Sequence, residues 1–200
     1  MNKRILLLLA LPPLAALALT ACGAGGGSSA EDKITETIET AVGTADPANC
    51  TELETLRFVE QSSLIGRKGK AAVENCEKVA EAETEQAQGA KVSNVSVDGK
   101  TATAEVEPQG GQIDSQVIEV ALIEEGGIWK LDQIKGFTHY DGKAMAEAFG
   151  KLFEDNLDAG SEAEAKCVTG KIAGASRAKA EELFFSGSLQ ALVKLVEGCE

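Results

Sequence analysis

The side chains with most chemistry open to them in this 200-residue chain are five cysteines and one histidine. Four of the cysteines are Cys50, Cys76, Cys167 and Cys199. No CxxC pair or second histidine accompanies them, so their spacing does not suit zinc, which wants four closely placed thiolate or imidazole ligands. An even count suits disulfides, and four cysteines leave three pairings open. Cys50 with Cys76 and Cys167 with Cys199 is preferred, because each bond then closes a loop of about 25–35 residues within one helical stretch, where a crosslink typically contributes about 2–4 kcal/mol. His139 stands beside Tyr140 and Asp141. A general acid or base must lie within reach of the proton it moves, and this trio is the only histidine-containing candidate; it reads as an exposed hinge after the last strand. The chain has no GxSxG elbow, no phosphate-cradling loop with a following lysine and no HExxH, and no cofactor is implied. Asn49-Cys50-Thr51 and Asn94-Val95-Ser96 read as chance sequons, and the acidic run Glu81-Ala82-Glu83-Thr84-Glu85 as a solvated face rather than a calcium site.

The fifth cysteine has a different setting. Lys3 and Arg4 precede an apolar run from Ile5 to Leu19, which ends at Leu19-Thr20-Ala21-Cys22. A charged, apolar, small-residue sequence of this kind is the layout of a cleavable secretory leader. The run carries Pro12 and Pro13 and falls short of the ~20 apolar residues that cross a bilayer. Leu-Thr-Ala-Cys resembles the bacterial lipobox, which implies a signal peptide over 1–21, a diacylglyceryl group on Cys22 and a place on the outer face of a cell membrane. Two acyl chains hold a protein stably where one does not. Gly23 to Ala30 offers nothing to pack, so residues 22–30 read as a flexible tether of roughly 16 Å r.m.s. span. Export to an oxidising compartment also favours disulfides. Removing Lys3 and Arg4 from the 19 basic residues leaves 17 against 32 acidic, a net charge near −15. Such a surface disfavours nucleic acid and anionic headgroups as partners.

Further along, hydrophobic periodicity sets out the elements. Ile34, Ile38 and Val42 predict a helix over 31–44, stopped by Gly43 and Asp46-Pro47. Leu53, Leu56 and Val59 predict a second behind Asn49 as N-cap, and Ala72, Cys76 and Val79 a third over 69–84. From Lys91 the period falls to two: Val95 and Val97, then Asp98-Gly99 as a two-residue hairpin turn with both residues at positive φ, then Ala102, Ala104 and Val106. Strands over 115–124 and 128–136 flank Gly126-Gly127, with Val120, Leu122, Trp129 and Leu131 inward. Met145, Phe149, Leu152 and Phe153 stripe a helix over 141–157. A piece capped by Gly160-Ser161 carries Cys167 and Ile172, a further helix holds Leu183 to Phe185, and the last, opened by Gly187-Ser188, has Leu189, Leu192, Val193 and Val196 on one side. The expected class is therefore α+β, with N-terminal helices on a curved four-stranded antiparallel sheet and an all-helical C-terminal segment.

Trp129-Lys130-Leu131, the Val97-Asp98-Gly99 hairpin and the helical pair joining Asn49-Cys50-Thr51 to Cys76 resemble the nuclear-transport-factor-2-like, or cystatin-like, α+β cone over residues 31–138. The resemblance implies a cavity between sheet and helices, with Phe58, Trp129, Phe137 and Tyr140 as candidate lining. Residues 139–200 would then be a disulfide-tied helical segment outside the cone. The function expected is non-catalytic: a tethered module binding a small apolar ligand or an envelope protein. The alternatives are a polyketide-cyclase-like or dehydratase-like enzyme using His139 in the same cavity, and a structural spacer. Fold alone does not choose among them.

Overall fold

The computed structural model describes residues 28–63, 66–82, 87–156, 162–186 and 188–199. The leader, Cys22, the tether as far as Gly27, Glu83 to Glu85, Gly160-Ser161 and Gly187 lie outside them, as do the side chains of Leu152, Phe153, Leu189, Leu192 and Val196. Helix α1, Ala30–Gly43, begins at a capping box: the Asp32 amide donates to Ser29 Oγ at 3.1 Å and the Ser29 amide to the Asp32 carboxylate at 2.9 Å. That start places Ile34 and Ile38 on the inner face, both without solvent exposure.

The expected second helix is two. α2, Asn49–Glu52, and α3, Leu56–Ser62, are separated by an extended step that pairs in parallel with Leu131 through Glu54. The Leu131 amide donates to the Leu53 carbonyl and the Thr55 amide to the Leu131 carbonyl, each at 2.8 Å. Bonds to a distant strand thus replace the helical bonds that local periodicity predicts. Leu56 is turned outward, half-exposed, while Phe58 and Val59 are buried. Thr55 caps α3, its hydroxyl accepting from the Phe58 amide. Asn49 lies inside α2 behind Ala48 and donates from Nδ2 to Thr44 Oγ1 at 2.8 Å, tying α2 to the end of α1. α4 spans Lys70–Glu81 and buries Ala72, but leaves Val79 about half-exposed. A Cys50–Cys76 disulfide joins α2 to the middle of α4 with Cα atoms 6.1 Å apart.

Four antiparallel strands follow in sequential order: β1 Ala90–Asp98, β2 Thr101–Pro108, β3 Val117–Glu125 and β4 Ile128–His139. The first hairpin turn is Gly99-Lys100 rather than Asp98-Gly99, and only Gly99 has positive φ. One permissive residue at the first central position is what a type II′ turn needs. At the second turn both Gly126 and Gly127 have positive φ, the type I′ requirement. Ala102, Ala104 and Val106 of β2 and Ile118, Val120 and Leu122 of β3 share the buried face. β4 sets twelve residues against nine of β3, with three register shifts between them. Extra residues in one strand bend it and increase its twist. α1 packs against both β1 and β4, the two outer strands, so the sheet wraps around this helix.

The open edge of β4 is covered at three points. Besides Leu53 on Leu131, the Gln61 side-chain amide exchanges two hydrogen bonds with Ile134, and Glu181 Oε1 accepts from the Phe137 amide at 3.0 Å. Covering an edge in this way removes a template for pairing with other chains.

α5, Gly142–Asn156, α6, Glu162–Ala173, α7, Arg177–Phe185, and α8, Leu189–Val196, complete the chain. α7 packs on β4 and beside α3, and one buried cluster runs across residue 138, joining Ile34 and Phe137 to Met145, Ile172 and Phe184. Cys167 and Cys199 are bonded, with Cα atoms 5.5 Å apart. Ala191, Leu195 and Cys199, spaced by four, form the buried face of the α8 end, whereas Val193, expected inward, is almost half-exposed. The disulfide and the Lys171 ammonium on the Leu195 carbonyl hold that face inward.

Gln116 is fully buried ahead of β3. Its amide oxygen accepts from the Asp141 amide at 2.8 Å, and Nε2 donates to the Asp114 and Asp141 carbonyls at 3.2 Å. Gln116→Ala should lower unfolding free energy by about 1–3 kcal/mol, since the part-buried backbone groups of Asp141 just ahead of α5 lose their partner. Urea denaturation followed by circular dichroism would measure it; a loss below the precision of the method would show that these bonds are replaced by water.

Candidate functional site

Between α1, α2, α3 and α4 on one side and the concave face of the sheet on the other lies a cavity of about 340 Å³. Ile38, Phe58 and Val59 form its helical wall, and Val106, Ile118, Val120, Leu131 and Ile134 its sheet wall. The loop from Pro108 to Ile113 closes one side, and the Cys50–Cys76 disulfide lies along another. The volume is in the range of small-molecule sites, which are concave and mostly apolar with a few placed polar groups. Several polar lining groups are already engaged: Thr44 with Asn49, Asp46 with the Ala48 amide, and Ser63 with the Arg67 amide.

Glu54 is not engaged in this way. The parallel step holding Leu53 and Thr55 to β4 places the intervening side chain on the cavity wall, partly exposed to that space. Cys76 Sγ stands 3.9 Å from its Oε2. Burial pushes its carboxyl up to about 8, because an apolar surrounding disfavours the charged form. Cys50, Glu54 and Cys76 lie close enough together to suggest a metal centre. The two sulfurs are bonded to each other, so no thiolate is available as a ligand.

The residues proposed from sequence divide. Phe58 lines the cavity. Trp129 is buried and borders a shallower depression with Lys33, Glu36 and Gly127. Phe137 and Tyr140 lie outside both; Phe137 stacks on Tyr140 and Phe185, with ring centroids 5.2 and 4.7 Å away. The bulges of β4 account for this, since they rotate its C-terminal end towards α7. Cys22 lies outside the described residues.

The His139 trio does not converge. β4 runs to His139, which pairs with Val117 and is exposed, not lining the cavity. Tyr140 donates to the Ile172 carbonyl at 3.3 Å, and burial, with the Asp141 charge behind it, raises its pKa. The Asp141 carboxylate caps α5, accepting from the Lys143 and Ala144 amides; those bonds hold its pKa down.

Glu54 escaped sequence reasoning, although a signal was present: it stands four residues after Cys50, between the apolar positions Leu53 and Leu56. A carboxylate one helical turn from a disulfide cysteine is a charge at a position that should be inward. Comparison of the chain with family models, with curated proteins and with solved structures finds no match.

Proposed function

We propose that this protein is an exported, lipid-anchored binding module that holds a small, largely apolar molecule in the space between its helices and its sheet. The observation that carries the reading is the cavity of about 340 Å³. A sheet wrapped around α1 with no space beside it would argue for docking of another protein instead. Helices followed by a coiled antiparallel sheet also support the likeness to the nuclear-transport-factor-2-like cone. Leu19-Thr20-Ala21-Cys22 supports the anchor, and a diacylglyceryl group with a short tether would keep the cavity near the bilayer, where apolar ligands reside.

The ligand half is tested with the chain from Gly23 to Glu200, which contains every described residue. It should take up an environment-sensitive alkyl fluorophore or carry a bound mass in native mass spectrometry, and Val120→Trp, which fills the sheet wall, should abolish both. Absence of uptake and of bound mass in the unaltered chain would defeat the reading. The anchor half is tested by palmitate labelling in cells: Cys22→Ser should lose the label and the membrane association, and a variant that keeps both would refute it.

A further inference from the structure

Charge in the cavity is one-sided. Among the described residues, Glu54 and Asp46 line it and no lysine, arginine or histidine does. Asp46 Oδ1 already accepts from the Ala48 amide, whereas Glu54 has only a disulfide sulfur beside it. A carboxylate facing apolar walls without a partner is costly, and an opposite charge relieves that cost. A ligand with an acidic head would bring a second negative charge to the same place. The complementary molecule has the reverse distribution, an apolar body carrying one cation.

We propose that the cavity is a site for lipophilic amines, with the ligand's ammonium paired to the Glu54 carboxylate and its hydrocarbon against Phe58, Val120 and Ile134. The assignment rests on the ligand-binding reading above and names its ligand class. The elements packed near Glu54 also carry the charged residues Glu52 on α2, Arg57 on α3, Glu77 and Lys78 on α4, and Lys130 and Asp132 on β4. Arg57 pairs with Asp132 at 3.2 Å and Lys130 donates to the Thr51 carbonyl. Burial is the cause that lifts Glu54. Its carboxyl is therefore mostly protonated at neutral pH and must release its proton when an ammonium arrives. Well below pH 8 one proton leaves to solvent for each amine bound, falling to about half a proton at pH 8, and the amine keeps its own, because alkylamines titrate near 10.4 as lysine does.

Calorimetric titration of the Gly23–Glu200 chain with decylamine, decanol and decanoate, below their aggregation concentrations and between pH 6 and 9, tests this. At pH 8 decylamine should bind at least tenfold more tightly than decanol, and decanoate more weakly than either. The preference for amine over alcohol should grow up to tenfold per pH unit between 6 and 8 and then level off. Glu54→Gln should erase it while leaving decanol binding in place. An amine preference that is missing, that does not change between pH 6 and 8, or that survives in Glu54→Gln overturns the amine assignment and leaves an apolar site standing. Failure of all three probes to bind removes the ligand-binding reading itself. The pH profile of the unaltered chain decides the matter even should the variant not fold.

Discussion

Glu54→Gln is expected to make the protein more stable at pH 8, by on the order of 4 kcal/mol, and to flatten its stability between pH 4.5 and 8. The direction follows from proton linkage. The folded chain holds the Glu54 proton up to about pH 8, while the unfolded chain releases it near the ordinary 4.5. Below 4.5 both states are protonated and the group costs least. As pH rises through this window the unfolded state ionises freely and the folded state does not, so stability falls. Glutamine keeps the shape and loses the titration. The carboxylates of Asp32, Asp141, Glu74 and Glu182, whose pKa values are held down by hydrogen bonds to Ser29, to backbone amides, to Lys70 and to Lys179, act in the opposite direction at more acid pH. They are common to both proteins and cancel in the difference. Urea denaturation of the two proteins at half-unit pH steps measures that difference. A gap independent of pH would mean that Glu54 is solvated in the folded state.

Phe137→Ala should be the most damaging single truncation at the junction of the sheet with the C-terminal helices, costing about 3–5 kcal/mol. Phe137 is wholly buried and its ring meets Tyr140 and Phe185, so its loss removes transfer energy and two aromatic contacts and leaves a void. Its amide, which donates to Glu181, is untouched by the change. The α7 anchor on β4 therefore persists and the fold should remain native at low denaturant, with the urea midpoint lowered and the slope unchanged. A loss under about 1 kcal/mol would mean that Tyr140 and Phe185 close the gap without strain.

The elements that could be read in the sequence are those whose signals are local. Ile34 and Ile38 at helical spacing, the alternation of Ala102, Ala104 and Val106, and the glycine pair at 126–127 each express a preference satisfied within a few residues. Errors cluster where a remote partner overrides such a preference. Residues 53–55 leave the helix because Leu131 takes their backbone bonds, and β4 runs three residues further than its periodicity suggests, so that His139, exposed as expected, lies at the strand's end and not after it. Phe137 and Tyr140 are aromatic and near the expected cone, yet β4, with bulges invisible to a period-two reading, sets Phe137 against Phe185 of α7, and Tyr140 meets the Ile172 carbonyl of α6.

The amino-acid sequence by itself determined the α+β class and the run of helices, four strands and helices, and it favoured the pairing of Cys50 with Cys76 and Cys167 with Cys199 that the structure holds, because chain-local geometry and short loop closure weigh most in these. Only the tertiary structure decided that helices and sheet border a space of about 340 Å³ and that Glu54 lines it. Whether a carboxyl is solvated depends on groups brought up from far along the chain, here from Cys76 and Leu131, and no spacing within one segment encodes that distance.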